Sequence, residues 1–161
     1  MRPKPDFESK LCAPAELAGR IATLARPLVF TNGVFDILHR GHVTFLAEAR
    51  ALGASLMVAA NNDASARRLG KGEDRPINRL EDRTAVLAAL QAVDLVTWFD
   101  DDTPLALILA CRPDVLVKGG DWRPEAIVGA KEVARWGGAV RSIAFQFQRS
   151  TTAMLEKIRR S

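Results

Sequence analysis

The chain has 161 residues, 48% of them hydrophobic and 26% charged, and its 23 basic and 19 acidic side chains leave a net charge of +4. This length and mixture suit one domain with a real core and exclude a disordered chain. The two cysteines, Cys12 and Cys111, are too few for a disulfide framework and lack metal-ligand spacing, so free thiols are expected. Residues 1–6 lack the apolar run of a signal peptide, and no segment approaches the length needed to span a bilayer. A cytoplasmic protein without a membrane partner is expected.

In chain order, residues 1–13 carry Pro3 and Pro5 among mixed charges and read as a loose arm. Leu17, Ile21 and Leu24 recur at helical spacing, predicting a short helix over 15–25 on the domain edge. Beyond Leu28 the pattern alternates. Apolar runs of strand length at 28–31, 55–60, 95–99, 115–117 and 140–145 are separated by helical stretches at 41–52, 80–93, 104–111 and 124–136, with a last helix over 151–160. Val86, Leu87, Leu90 and Val93 give the second of these helices an apolar stripe, and Gly53 stands where the first should end. Alternating β and α segments predict an α/β fold: an open parallel five-stranded sheet with helices on both faces. The expected division is 1–27 as N-terminal arm and short helix, and 28–161 as the single folded domain.

The longest predicted loop, 61–79, follows the second strand and holds Gly70 and Gly72 in a basic context. Ligands of open α/β sheets bind outside the carboxyl ends of strands, so this loop is a candidate lid over phosphates, against the plainer reading of a solvent-exposed connection. Between Arg67 and Arg83 lie Arg67, Arg68, Lys71, Arg75, Arg79 and Arg83, yet no aromatic residue occurs from Leu46 to Thr97. Platforms for single-stranded nucleic acid need aromatics to stack bases. A small phosphorylated substrate fits better, and nucleic acid is not an expected partner.

The stretch GVFDILHRGH, residues 33–42, runs from an apolar segment into a helical pattern with His39 and His42 three positions apart. The first turn of a helix presents unpaired N–H groups and the positive end of the peptide dipole, which draw an anion. Residues i and i+3 share a helix face, so both imidazoles can turn toward bound phosphates. Gly41 between them has no side chain to block a nucleotide. Either histidine alone would read more readily as a core or capping residue.

This stretch resembles the H-x-G-H signature of the cytidylyltransferase-like nucleotidyltransferases. Asn61-Asn62-Asp63-Ala64-Ser65, Arg75-Pro76-Ile77-Asn78, Leu80-Glu81-Asp82-Arg83, Val117-Lys118-Gly119-Gly120-Asp121 and Ser150-Thr151-Thr152 match one branch, the heptose 1-phosphate adenylyltransferase domain of ADP-heptose biosynthesis. The resemblance begins at Leu28 and runs to the C-terminus. It implies a Rossmann-like fold and transfer of AMP from ATP to D-glycero-β-D-manno-heptose 1-phosphate, for the lipopolysaccharide inner core. A bifunctional form of the family adds a sugar kinase, for which 161 residues leave no room.

The resemblance also implies roles. His39 and His42 would bond the triphosphate and stabilise charge on the pentacoordinate phosphorus, Arg83 would grip phosphates from the following helix, and Lys71 would be the lid lysine. Thr31, Asn32, Gly33, Phe35 and Gly41 would contact the nucleotide. Lys118 at a strand's carboxyl end would supply positive charge, or else snorkel from the strand terminus. Asp121 would accept from ribose or base, or else serve a turn. Ser150, Thr151 and Thr152 would hold the β- and γ-phosphates, although one hydroxyl is an obvious helix N-cap. The related glycerol-phosphate cytidylyltransferases carry an Arg-Thr-Glu-Gly-Ile-Ser-Thr-Thr run. Here only the last three residues match, preceded by Gln146-Phe147-Gln148-Arg149.

The reaction needs no protein nucleophile. The attacking phosphate is already largely ionised near neutral pH, its second pKa being about 6. With both histidines inside one motif, the chain also has no plausible triad. What remains is neutralisation and alignment of converging anions. Mg²⁺ is expected with ATP, while no carboxylate cluster marks a protein metal cage. A cytidylyltransferase for a polyol phosphate such as glycerol 3-phosphate, an adenylyltransferase for FMN or pantetheine phosphate, and a non-catalytic nucleotide-binding regulatory module are the rival readings. Self-association is compatible with the sequence and not specified by it.

Overall fold

The computed structural model describes residues 3–161 apart from Lys71, Glu73 and Gln148. Five strands, β1 (Leu28–Gly33), β2 (Ser55–Asn61), β3 (Leu95–Phe99), β4 (Val115–Gly119) and β5 (Ala139–Ile143), form one sheet in the order β3-β2-β1-β4-β5. Every pairing is parallel. The helices are α1 (Leu17–Ile21), α2 (Arg40–Arg50), α3 (Asp63–Arg68), α4 (Leu80–Ala88), α5 (Leu105–Cys111), α6 (Ala130–Arg135) and α7 (Thr151–Arg160). This is the α/β, Rossmann-like arrangement expected from the sequence.

A strand buried on both faces sends alternate side chains to opposite layers. Leu28, Phe30, Met57, Ala59 and Leu95 pack with Ile108 and Cys111 of α5 and Val133 of α6. Val29, Leu56, Val58, Ala60 and Val96 face the other way, against Phe45, Leu46 and Ala49 of α2 and Leu87 and Ala88 of α4. The two layers are the two halves of the core.

Four expectations need correction. The arm is not loose: residues Asp6–Lys10 form a 3₁₀ turn, Leu11 bridges Val96 in parallel, the Cys12 N–H donates to the Val96 carbonyl, and Cys12 is buried. It thereby covers the open edge of β3. The 61–79 segment contains α3, whose Asn62 side chain caps it by accepting from the Ser65 N–H. The 80–93 stretch stops being helical at Ala88, and Leu90 and Val93 reach the core from a turn instead. The 124–136 stretch is broken at Gly129, where φ is +89° and an added Cβ would lie 2.7 Å from Ile108 Cδ1. Only glycine meets both conditions cheaply. The broken pieces are a 3₁₀ turn at Pro124–Ala126 and α6.

Among the described residues no helix is long and apolar enough to cross a membrane.

Candidate nucleotide site

β1 and β4 are neighbours from which the chain winds away in opposite directions, the switch point where ligands of open α/β sheets bind. A cavity of about 530 Å³ opens there, over Asn32 and Gly33 at the end of β1 and Lys118 and Gly119 at the end of β4. Its further lining includes Phe35, Asp36, His39, His42 and Ser150 to Thr152.

The two histidines build the end of α2 reciprocally. His39 is the N-cap, its Nδ1 accepting from the Gly41 N–H at 3.1 Å, while His42 Nδ1 accepts from the His39 N–H at 3.4 Å. Their rings lie 4.0 Å apart, centroid to centroid, inclined by 36°. An accepting Nδ1 in a neutral imidazole places the ring proton on Nε2. Each ring is therefore fixed as an Nε2–H donor. Burial, and then the positive charge of Arg149, push the His39 pKa down from its ordinary value, so its neutral form persists to lower pH than that of a free imidazole.

Aromatic edges hold His42 in place. Phe35 meets it at 5.7 Å and Phe145 at 6.2 Å, and Phe145 also packs on Phe45 at 5.6 Å. Phe35 sits at a φ of +50°, a conformation uncommon outside glycine, which turns the chain sharply just before the histidines. Two glycines make room for these rings: a Cβ on Gly33 would lie 3.0 Å from the Phe35 ring, and one on Gly119 would lie 2.7 Å from that of Phe145.

Asp36 ties the motif to the loop ahead of α4. Its carboxylate accepts from Arg75 Nε at 2.7 Å and from the Ile77 and Asn78 N–H groups, each at 2.9 Å. The Asn78 amide donates in return to the Asp36 carbonyl at 2.7 Å. Asp36 and Arg75 are both buried, so the charge pair is held by hydrogen bonds rather than by water.

The C-terminal helix closes the opposite wall. Ser150 Oγ accepts from the Ala153 N–H and so caps α7, while the Thr151 hydroxyl donates to the Ile37 carbonyl at 3.1 Å. The segment leading into α7 runs along α2. Gln146 bonds Glu48, and the Arg40 guanidinium lies 3.8 Å above the Phe147 ring.

Of the residues singled out in the sequence, Asn32, Gly33, Phe35, His39, His42, Lys118, Ser150, Thr151 and Thr152 converge on the cavity. Arg83 does not. Its fully buried guanidinium donates to the carbonyls of Asn78 (3.0 Å), Val34 (2.6 Å) and Asn61 (2.9 Å) and to Asp63 Oδ1 (2.7 Å), which makes it a bracket beneath the site. Thr31 is also inside the sheet, because β1 runs on to Gly33 and the cavity begins at Asn32.

Gly41 is buried, and its missing side chain makes room for the His39 ring, which an added Cβ would meet at 2.9 Å. Asp121 is exposed and is not among the lining residues. Lys71 lies outside the described residues. Reading the sequence missed Asp36, Arg75, Trp122, Phe145 and Arg149, all of which line the cavity. Asp36 could have been found from its place inside the motif.

The cytidylyltransferase-like family model matches residues 30–159. The chain belongs to the cytidylyltransferase-like family. It is 58% identical over 155 residues to the D-beta-D-heptose 1-phosphate adenylyltransferase of Bordetella bronchiseptica, covering 95% of this chain and 96% of that one. It is also 57% identical over 133 residues to the bifunctional protein HldE of Hahella chejuensis, but spans only 28% of that longer protein. Among solved structures, the lipopolysaccharide core biosynthesis protein from Thermoplasma volcanium aligns with a TM-score of 0.62 at 29% identity, covering 76% of this chain and 98% of that one. A pantoate-beta-alanine ligase from Francisella tularensis shares the fold alone, with a TM-score of 0.57 at 14% identity over 88% of this chain and 68% of its own.

Proposed function

We propose that the chain transfers AMP from ATP to D-glycero-β-D-manno-heptose 1-phosphate, giving ADP-heptose and pyrophosphate for the lipopolysaccharide core. The observation that carries this is the 58% identity, over nearly the whole of both chains, to a heptose 1-phosphate adenylyltransferase. In the reaction an oxygen of the sugar phosphate attacks the α-phosphorus. A new P–O bond forms, the bond from the α-phosphorus to the oxygen bridging the β-phosphate breaks, and pyrophosphate leaves with that electron pair.

The cavity suits this chemistry, which asks for donors and positive charge rather than a base. His39 and His42 offer Nε2–H groups to the α-phosphate as its charge grows, Lys118 stands at the sheet end of the same cavity, and the start of α7 faces the β- and γ-phosphates. Among the described residues no three potential ligands cluster to hold a metal ion, and the carboxylate of Asp36 is occupied by three donors. Mg²⁺ is the expected companion of the triphosphate, whose oxygens are hard ligands for it. The protein acts in the cytoplasm on small molecules, with residues 28–161 as the nucleotidyltransferase domain and 1–27 as its N-terminal arm.

A pyrophosphate-release assay of ATP, CTP, GTP and UTP against sugar and polyol phosphates tests the reading. Turnover is expected with ATP and the heptose 1-phosphate. Preference for CTP with glycerol 3-phosphate would overturn it.

The double substitution of Thr151 and Thr152 by alanine tests the phosphate cradle, because Ser150 still caps α7. Calorimetry should show ATP binding weakened by about tenfold, the worth of a hydrogen bond or two to a charged phosphate, and AMP binding as before. Unchanged ATP affinity would remove both threonines from the site.

A further inference from the structure

The arginines at the cavity differ in what already holds them. Arg75 is bonded to Asp36, and Arg83 beneath is spent on three carbonyls and Asp63. Arg149 is another case. It is exposed, it lines the cavity beside His39 and Ser150, and among the described residues no carboxylate pairs with it.

Its place is nevertheless fixed from both sides. Its N–H donates to the Phe147 carbonyl at 2.8 Å, and Phe147 in turn lies under Arg40 of α2. The next residue, Ser150, caps α7. Arg149 thus stands where the positive ends of α2 and α7 come together, and after burial its charge is the second influence that lowers the His39 pKa. Like charges repel. A guanidinium beside two positive helix ends, paired with no carboxylate among the described residues, suits an anion with several oxygens, to which its planar fork is matched.

We infer that Arg149 clamps the terminal phosphates of the nucleotide and the pyrophosphate they become. The inference rests on the proposed function for the existence of a triphosphate in the cavity. It goes beyond that reading in assigning the leaving group to a residue outside the H-x-G-H and Ser-Thr-Thr segments.

Calorimetric titration of the full chain with inorganic pyrophosphate and with AMP, both with Mg²⁺, compares the parent with Arg149→Gln. The variant should lose about tenfold or more in pyrophosphate affinity, as expected for one charge-assisted contact, with AMP affinity and melting temperature unchanged. Pyrophosphate binding equal to the parent's would overturn the role of Arg149 while leaving the nucleotide site standing. Loss of AMP binding together with pyrophosphate binding would also overturn it, as a general distortion. A parent that fails to bind pyrophosphate would overturn both this inference and the function on which it rests.

Discussion

Alanine in place of His42 is expected to lower kcat by about a hundredfold, the loss of ~3 kcal/mol typical of one donor aimed at developing charge, while ATP binds nearly as before. The asymmetry follows from where the donor points. Charge on the oxygens of the α-phosphate is greater in the pentacoordinate transition state than in bound ATP, so an Nε2–H placed there contributes mainly to the rate. The fold should survive, because His39 still caps α2 through the Gly41 N–H and the Phe45–Phe145 contact does not depend on His42. Presteady-state turnover and equilibrium ATP binding on the same preparation give the answer. Parallel losses in rate and affinity, or an altered circular dichroism spectrum, would assign His42 a structural role instead.

Arg83→Met is expected to act on stability rather than on phosphate binding. Removing the guanidinium strands two carbonyls that share one nitrogen, a third on Nε, and the Asp63 carboxylate. Breaking such a buried set from one side costs on the order of 3 kcal/mol, which lowers the melting temperature of a chain this size by about 6–12 °C. Arg83→Lys should recover little, since a point charge cannot span four acceptors. Below the melting range the folded fraction should keep its affinity for ATP. An undisturbed melting temperature with lost ATP affinity would return Arg83 to the phosphates.

Arg83 also shows why a sequence reveals the site only in part. An arginine one turn into a helix, next to a phosphate-binding motif, reads as a ligand for phosphate. Burial alone distinguishes bracket from clamp, and burial depends on where the Val34 and Asn61 carbonyls end up in space. The parallel sheet was legible because its strands are continuous apolar runs, as double-sided burial requires. The histidine pair was legible because i and i+3 is a local relation.

What escaped depends on longer range. Asp36 meets Arg75, Ile77 and Asn78 some forty positions later, and Phe145 reaches His42 only after the chain has wound through the whole sheet. α3 is a different miss, since Asn62 and Asp63 are a local start signal that the glycines and positive charges of the following loop obscured. The break at Gly129 belongs with the long-range misses, since tight packing on Ile108 is decided by tertiary contact.

Because both Nδ1 atoms are committed to the end of α2, neither imidazole has a lone pair to offer a water molecule in the cavity. The Asp36 carboxylate is likewise occupied, by three donors from the loop ahead of α4. A water at the α-phosphorus would have to give up its proton unaided, whereas a sugar phosphate arrives already ionised. The cap of one helix thereby favours an acceptor that arrives ionised over one that must first lose a proton.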